Sequence, residues 1–422
     1  KALLFIMTKS FIKSPSQWQF TPMIALTLYF ALSTASLITL GHVRLWEVFT
    51  YPSYGGLIVL LVVAGLCSLW LSNRWSRHPH TSGLLASVWA MVIPFLALAA
   101  AFFIFGWWYS RPFYLAFFFV LFVVNFIGLF MQSRQVIRVA ATSPSVAELI
   151  STIGAKNIKV VSIDDPEGAD IVVTDLQHKP SSSFTHSYSN FAAQGKEIID
   201  IATFIEELTG KVDISSLSKE AEVLLRPKDY IGIKRIWETA LVVLTFPIWA
   251  SLAVFIALLV RLDSKGPILF KQRRIGLYGQ PFEMYKFRSM YADAESNGPS
   301  FAQIRDARVT RVGAVLRKFR LDEIPQLLNV LKGDMSLIGP RPEQEAFAVQ
   351  FAQEIPFFET RHFVRPGLTG WAQVVHGYTS DQTGAREKLA YDLYYVKNFS
   401  FWLDLLIVIK TLSVIFRGFG AR

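Results

Sequence analysis

Apolar positions along this chain come first as long unbroken runs and only later as short alternating stretches. Four runs, Phe20 to Leu40, Gly55 to Leu71, Leu84 to Phe105 and Phe113 to Met131, approach or exceed the length a helix needs to cross a hydrocarbon core of ~30 Å at ~1.5 Å per residue. The second is the shortest. No small-residue cleavage site follows the first, so it reads as an anchor and not as a removable leader. The chain opens on Lys1, so native residues are expected ahead of it. Lys1, Lys9 and Lys13 precede the first run, Arg74 and Arg77 separate the second from the third, and Arg134 and Arg138 follow the fourth. Only Arg44 and Arg111 lie on the opposite loops. This bias puts both ends of a four-helix transmembrane bundle in the cytoplasm. No charge falls inside the runs, which favours an anchoring role over an ion pathway.

Beyond Arg134 the pattern changes. Short strand-like runs at Val136 to Ala140, Ile158 to Ile163 and Asp170 to Thr174 alternate with helical patterns at Val146 to Ile153 and Ile201 to Leu208, which predicts a small parallel α/β unit. The first strand runs into Ala-Thr-Ser-Pro-Ser without a Gly-rich turn, so a dinucleotide site is not encoded. Lys179 to Asn190 reads as a solvated loop, its neighbour His178 and its own His186 included.

A fifth apolar run, Ala240 to Val260, is interrupted by Pro247. Lys228, Lys234 and Arg235 precede it; Arg261, Lys265, Lys271, Arg273 and Arg274 follow it. Both ends therefore read as cytoplasmic. Proline removes a backbone donor and kinks a helix, so the run is expected to enter the bilayer and return on the same side. Phe401 to Phe416 is apolar but only 16 residues long and carries Asp404 and Lys410, which predicts an interfacial helix. Trp371 reads either as a second interfacial anchor or as a core residue.

Composition agrees with the pattern. Of 422 residues 52% are hydrophobic and the formal charge is +10, which excludes an ordinary soluble enzyme and suits anionic lipid or phosphorylated partners. The single cysteine, Cys67, excludes an intrachain disulfide and a cysteine metal site.

The chemistry-bearing stretch is Arg311 to Pro342, where Asp322 and Glu323 sit among Arg311, Arg317, Lys318, Arg320, Lys332 and Arg341. Neighbouring cations favour ionised carboxylates, and ionised carboxylates either attack phosphorus or hold magnesium beside substrate phosphates. Taken alone, the pair is equally a helix start complementing the macrodipole.

The blocks around it separate these readings. FKQRRIG at Phe270 to Gly276, YKFRSM at Tyr285 to Met290, RKFRLDEIPQLLNVLKGDMSLIGPRP at Arg317 to Pro342, RPGLTGWAQV at Arg365 to Val374 and YDLYYVKN at Tyr391 to Asn398 resemble, in order and spacing, the bacterial sugar transferases, the monotopic polyprenyl-phosphate hexose-1-phosphate transferases. The resemblance implies a membrane protein of α plus α/β class in three parts. These are a four-span bundle over 1–133, a Rossmann-like domain over 134–225, and a re-entrant helix with a mainly helical cytoplasmic catalytic domain over 226–422. It also implies transfer of a hexose-1-phosphate from a UDP-sugar to undecaprenyl phosphate with release of UMP, at the start of capsule, exopolysaccharide or O-antigen synthesis in the bacterial inner membrane.

On this resemblance Asp322 is the nucleophile and Glu323 its partner, and the two hold Mg2+. Lys286, Arg288, Arg317, Arg341 and Arg365 bind substrate, and Pro247 breaks the re-entrant helix. Small members carry Ser-Pro at that break; Phe246-Pro247 here removes one hydroxyl partner for the freed carbonyl. The expected partners are the UDP-sugar, the polyprenyl phosphate and membrane lipid, with a homodimer allowed and no nucleic acid. Two rival readings are a lipid-linked sugar transporter and a catalytically idle assembly scaffold. Intact motif blocks weigh against the second.

Overall fold

The computed structural model describes residues 21–40, 52–76, 83–107, 109–132, 136–153, 158–161, 168–175, 191, 196–217, 230–291, 306, 308–376 and 382–417. It is mostly helical with some parallel sheet, and it divides into two compact units, Lys1–Gly210 and Lys211–Arg422.

In the first unit, helices α1 (Thr21–Leu40), α2 (Pro52–Ser76), α3 (Gly83–Phe105) and α4 (Arg111–Gln132) contain the four apolar runs, except Phe20, which lies outside the described residues. Leu28, Ala31, Leu61, Met91, Phe95, Phe117 and Leu121 pack into one buried cluster to which all four helices contribute. Two serines of α2 find partners there, as buried polar groups favour. The Ser68 hydroxyl donates to the Ala64 carbonyl at 2.8 Å, and the Ser72 hydroxyl to the Asn125 side chain at 3.4 Å.

Strands β1 (Ile137–Ala141), β2 (Ile158–Val161), β3 (Ile171–Thr174) and β4 (Glu197–Asp200) form a parallel sheet in the order β2-β1-β3-β4. Helices α5 (Pro144–Thr152) and α6 (Ile201–Thr209) bury Val146, Ile150, Ile201 and Phe204 against Val139, Ile171 and Val173 on one face. Each helix starts on a side-chain cap. Ser143 accepts from the Val146 amide and Asp200 from the Ala202 amide. Strand β4 was not legible, because Glu-Ile-Ile-Asp is too short to show alternation. The loop containing His178 and His186, and the end of the second expected strand, lie outside the described residues.

The second unit opens with α7 (Ile231–Leu244) and α8 (Phe246–Asp263), which together contain the fifth apolar run. The break falls at Thr245, with Pro247 in the first turn of α8, where its missing N–H costs least. The Val242 carbonyl at the break is not stranded: it accepts from the Trp249 indole at 2.9 Å and from the Thr245 hydroxyl at 3.4 Å. The same hydroxyl donates to Leu241 at 2.7 Å, whose carbonyl keeps its helical bond from the Thr245 amide. Helix α8 turns Ile256 and Val260 inward and leaves Ile248, Val254, Phe255, Leu258 and Leu262 exposed. Two helical windows, Val88–Phe105 and Phe246–Asp263, are long and apolar enough to cross a membrane among the described residues.

A hairpin, β5 (Leu269–Ile275) and β6 (Pro281–Phe287), follows. After it come α9 (Arg311–Lys318), a 3-10 turn (Leu321–Glu323) and α10 (Gln326–Lys332). Strand β7 (Ser336–Ile338) pairs in parallel with β8 (Gly367–Thr369). Helices α11 (Glu345–Glu354), α12 (Trp371–Val375), α13 (Gln382–Lys397) and α14 (Phe401–Arg417) complete the unit. Gly313 in α9 is required by packing, since a Cβ there would meet the Ser289 carbonyl oxygen at 2.1 Å.

Helix α14 differs from the interfacial helix expected of it. Leu403, Leu406 and Ile407 are buried and Asp404 is 0% exposed, so this helix packs into the unit. Asp404 pairs with the Lys234 ammonium of α7 and accepts from the hydroxyls of Tyr230 at 2.9 Å and Tyr395 at 2.7 Å. Trp371 is a core residue, stacked on Tyr394.

Candidate active site

The site begins with a turn. Arg320 adopts the left-handed conformation (φ 55°), which swings the chain out of α9 and into the 3-10 turn that carries Asp322 and Glu323. Both carboxylates are buried. Glu323 is ringed by cations: Arg341 at 2.8 Å, Lys286 at 3.6 Å and Arg320 at 3.7 Å.

This arrangement splits two groups that the sequence treats alike. For Glu323 the attraction of Arg341, Lys286 and Arg320 outweighs desolvation and holds the carboxyl down to about 2. For Asp322 desolvation and the adjacent Glu323 charge prevail over Lys286, Arg317 and Arg341, and its pKa is raised. Asp322 is therefore the more basic of the two, a difference the sequence does not show. Like charges side by side are pushed apart, one held as the anion and the other made more basic. A more basic carboxylate is the better nucleophile of the two.

The cations are held by backbone geometry. The three carbonyls of Pro340-Arg341-Pro342 are all engaged: Pro340 accepts from the Gly367 amide at 2.9 Å, Arg341 from Arg361 at 2.9 Å and Pro342 from Arg274 at 2.8 Å. The flanking prolines fix φ and present no donor, so the segment is a rigid mount for the Arg341 guanidinium. Arg361 is itself 3% exposed and bound to Asp392 at 2.7 Å and Glu343 at 3.3 Å. Lys388 closes the same cluster on Glu343, and these cations hold the Glu343 carboxyl far below its ordinary value.

Of the residues expected at the site, Lys286, Arg317 and Arg341 act on the Asp322–Glu323 pair. Arg288 and Arg365 do not join them. Arg288 is 6% exposed and donates to the carbonyls of Pro267 and Ser264, fixing the connection from α8 into β5. Arg365 donates from Nε to the Gly333 carbonyl at 2.9 Å, and Arg235 donates to Val330 and Leu331, so both close the C-terminal end of α10. Pro247 stands at the helix break, as expected. Arg274, Arg361 and Glu343 were missed as supports, and Arg320, counted among the cations around the pair, was not assigned a role at it. Arg320 and Arg274 lie inside the motif blocks, but nothing in the sequence distinguishes a cation that faces the dyad from one that caps a helix.

Burial pushes Lys286 down to about 8, against the pull of Glu323. Below about pH 8 Lys286 is a charged ammonium that donates to anions, and above it a neutral amine. If the site binds an anionic substrate, kcat/KM is expected to fall as pH rises through about 8, and Lys286→Arg, which stays charged, to carry activity further into the alkaline range. Stability moves the other way. Between pH 8 and the ordinary lysine value the unfolded chain binds the extra proton, so stability rises with pH. A pH–rate profile beside a pH–melting profile checks both signs.

No cluster of three or more His, Cys, Asp or Glu side chains gathers to hold a metal among the described residues. Two adjacent carboxylates nonetheless fit magnesium, which typically takes one or two carboxylates and completes its shell with substrate phosphates and water.

Known proteins decide the family. A model of the bacterial sugar transferases matches residues 229–418. A Caulobacter vibrioides protein named UDP-glucose:undecaprenyl-phosphate glucose-1-phosphate transferase is 44% identical over 182 residues, covering 42% of this chain and 67% of that protein. The chain belongs to the bacterial sugar transferase family. A second family member, the exopolysaccharide production protein PSS of Rhizobium leguminosarum, is 44% identical over 178 residues, 40% of this chain and 89% of that protein. An Aeromonas hydrophila protein named UDP-N-acetylgalactosamine-undecaprenyl-phosphate N-acetylgalactosaminephosphotransferase is 48% identical over 255 residues. That match covers 60% of this chain and spans 60% of the Aeromonas protein's length. The family segment contains α7 through α14, so the dyad, its cations and the broken helix all lie within it.

Proposed function

We propose that this chain transfers a sugar-1-phosphate from a UDP-sugar to undecaprenyl phosphate at the cytoplasmic face of a bacterial inner membrane, starting a capsule, exopolysaccharide or O-antigen chain. The observation that carries the reading is the buried Asp322 beside a Glu323 carboxylate that Arg341, Lys286 and Arg320 hold in place. In the first step an Asp322 carboxylate oxygen attacks the sugar-bearing phosphorus. The bond from that phosphorus to the bridging oxygen breaks, UMP leaves with the electron pair, and an aspartyl phosphosugar forms. In the second step a phosphate oxygen of undecaprenyl phosphate attacks the same phosphorus and expels the Asp322 carboxylate. Two moderate barriers replace one high one.

Arg341, Lys286 and Arg317 offset charge on the transferring phosphoryl group, and because they are already positioned they cost little reorganisation. Asp322 and Glu323 would hold Mg2+, which when bound supplies further charge neutralisation at the phosphates. The break at Thr245–Pro247 is read as the point where α7 and α8 turn back within the bilayer, with α1 to α4 as a multi-pass anchor. This returns the dyad to the side where nucleotide sugars are found.

The test is to incubate the detergent-purified chain with undecaprenyl phosphate and a panel of UDP-sugars, UDP-N-acetylgalactosamine, UDP-glucose and UDP-galactose among them, and to record UMP. One donor is expected to release UMP in the presence of the lipid. Excess chelator is expected to stop release and added magnesium to restore it. Full activity in chelator would remove the metal, and silence with every donor would remove the transferase reading.

A further inference from the structure

A helix leaves its first amides without partners inside the helix. In α9 one of them is met locally, where the Thr310 hydroxyl accepts from the Gly313 amide at 3.0 Å. A second is met from another helix. The carboxylate of Asp263, the last residue of α8, accepts from the Val312 amide at 3.2 Å. A negative charge at that end also complements the helix dipole. The far end of α9 carries Arg317, whose charge acts on Asp322, and leads to the left-handed Arg320 that opens the dyad's turn. With only eight residues in α9, Asp263 fixes one end of a short strut and Asp322 stands just past the other.

The strut is held against sliding. Ile256 and Val260 of α8 share a buried cluster with Leu316 of α9 and Phe287 of β6, and Val312, Leu321 and Ile324 pack against it. Leu321 precedes Asp322 and Ile324 follows Glu323, so contacts to the cluster that contains α8 flank the dyad on both sides. Arg288 binds the chain just past α8, donating to the Ser264 carbonyl at 2.6 Å and the Ser264 hydroxyl at 2.8 Å. The next residue closes on α9 itself. The Ser289 carbonyl accepts from the Thr310 amide at 3.1 Å and fills the space that a Cβ on Gly313 would need.

We infer that Asp263 is a positioning residue for Asp322, joining the end of α8 to the start of α9 and so setting where the nucleophile stands. Thr310 keeps α9 capped when Asp263 is removed, so the loss shifts the helix against α8 without unfolding it. A misplacement of about 1 Å at a reacting group costs on the order of a hundredfold in rate. The inference rests on the reading of Asp322 as the nucleophile.

The experiment uses the full purified chain with magnesium and the UDP-sugar that releases UMP, labelled in its sugar-bearing phosphate, without lipid acceptor. It follows the rate of labelling over a range of donor concentrations. Asp263→Ala is expected to slow labelling at saturating donor by about ten- to a hundredfold. The half-saturating donor concentration is expected to stay within about twofold, and the melting temperature to fall by only about 2–4 °C. Asp263→Asn, which keeps an acceptor oxygen for the Val312 amide, is expected to recover most of the rate. Wild-type labelling by Asp263→Ala would overturn the inference. So would a loss confined to donor affinity, or equal losses of rate and melting temperature in both variants, which would make Asp263 a stabilising contact only. A wild-type chain that releases UMP with the lipid present but never carries label would instead remove the covalent reading, and this inference with it.

Discussion

Asp322→Asn is expected to reduce UMP release by about a thousandfold or more, the scale seen when a covalent nucleophile is removed from an otherwise intact site. The substitution keeps the size of the side chain and removes its charge and nucleophilic oxygen. Its neighbours keep their places, because Arg341 is held through Glu323 and through the Arg361 bond to its own carbonyl. Folding is therefore expected to survive, as an unchanged melting temperature would show. Glu323→Gln makes the informative contrast. It removes the anion that Arg341, Lys286 and Arg320 share, so it is expected to disturb both the cation positions and the melt. UMP release at the wild-type rate by purified Asp322→Asn would take the nucleophile role away from Asp322.

Lys234→Met is expected to be the most destabilising single change in the second unit. Lys234 is 5% exposed, and its ammonium meets Asp404 directly, the Tyr395 hydroxyl at 3.0 Å and Glu238 at 3.4 Å. Four aromatic rings, Tyr230, Trp237, Tyr395 and Phe399, stand within 6.0 Å of it. Glu238 in turn accepts from the Ser336 hydroxyl at 2.7 Å and the Leu337 amide at 3.1 Å, which ties α7 to β7. Removing one partner of a buried ion pair leaves the other charge uncompensated and costs about 3–5 kcal/mol. For a unit of this size that is a melting shift on the order of 10 °C. The double variant Lys234→Met with Asp404→Asn is expected to recover part of the loss, since no buried charge is then left alone on α14. Melting curves of the wild type, both single variants and the double variant in detergent measure the coupling. Strict additivity would contradict it.

Lys234 and Asp404 also mark where the sequence stopped being legible. The pair joins residues 170 positions apart, and each was read from its own neighbourhood. Lys234 became a topology marker on a basic flank, and Asp404 became evidence that α14 lies at an interface. The long apolar runs were legible because helix formation in them depends on local composition alone, and α1 to α4 begin and end within a few residues of the expected limits. The break near Pro247 was legible for the same reason, since a missing N–H acts on its own turn. Its repair by Trp249 was not, because it depends on where an indole seven residues from Val242 points.

At the candidate site the motif blocks brought the right residues forward but could not sort them. Lys286 lies in β6 and Arg288 just past its end, yet Lys286 faces Glu323 while Arg288 closes a loop at Ser264 and Pro267. The split between Asp322 and Glu323 was hidden as well, because charge is visible in a sequence and burial is not.

The most direct test of the account uses a UDP-sugar labelled in the sugar-bearing phosphate, mixed with the purified chain and magnesium in the absence of lipid acceptor. The account predicts label on the protein in an acyl phosphate that maps to Asp322, one UMP released per labelled chain, and loss of that label to the lipid when undecaprenyl phosphate is added. A chain that turns over in the complete mixture but never carries label, or that carries it at a residue other than Asp322, would contradict it.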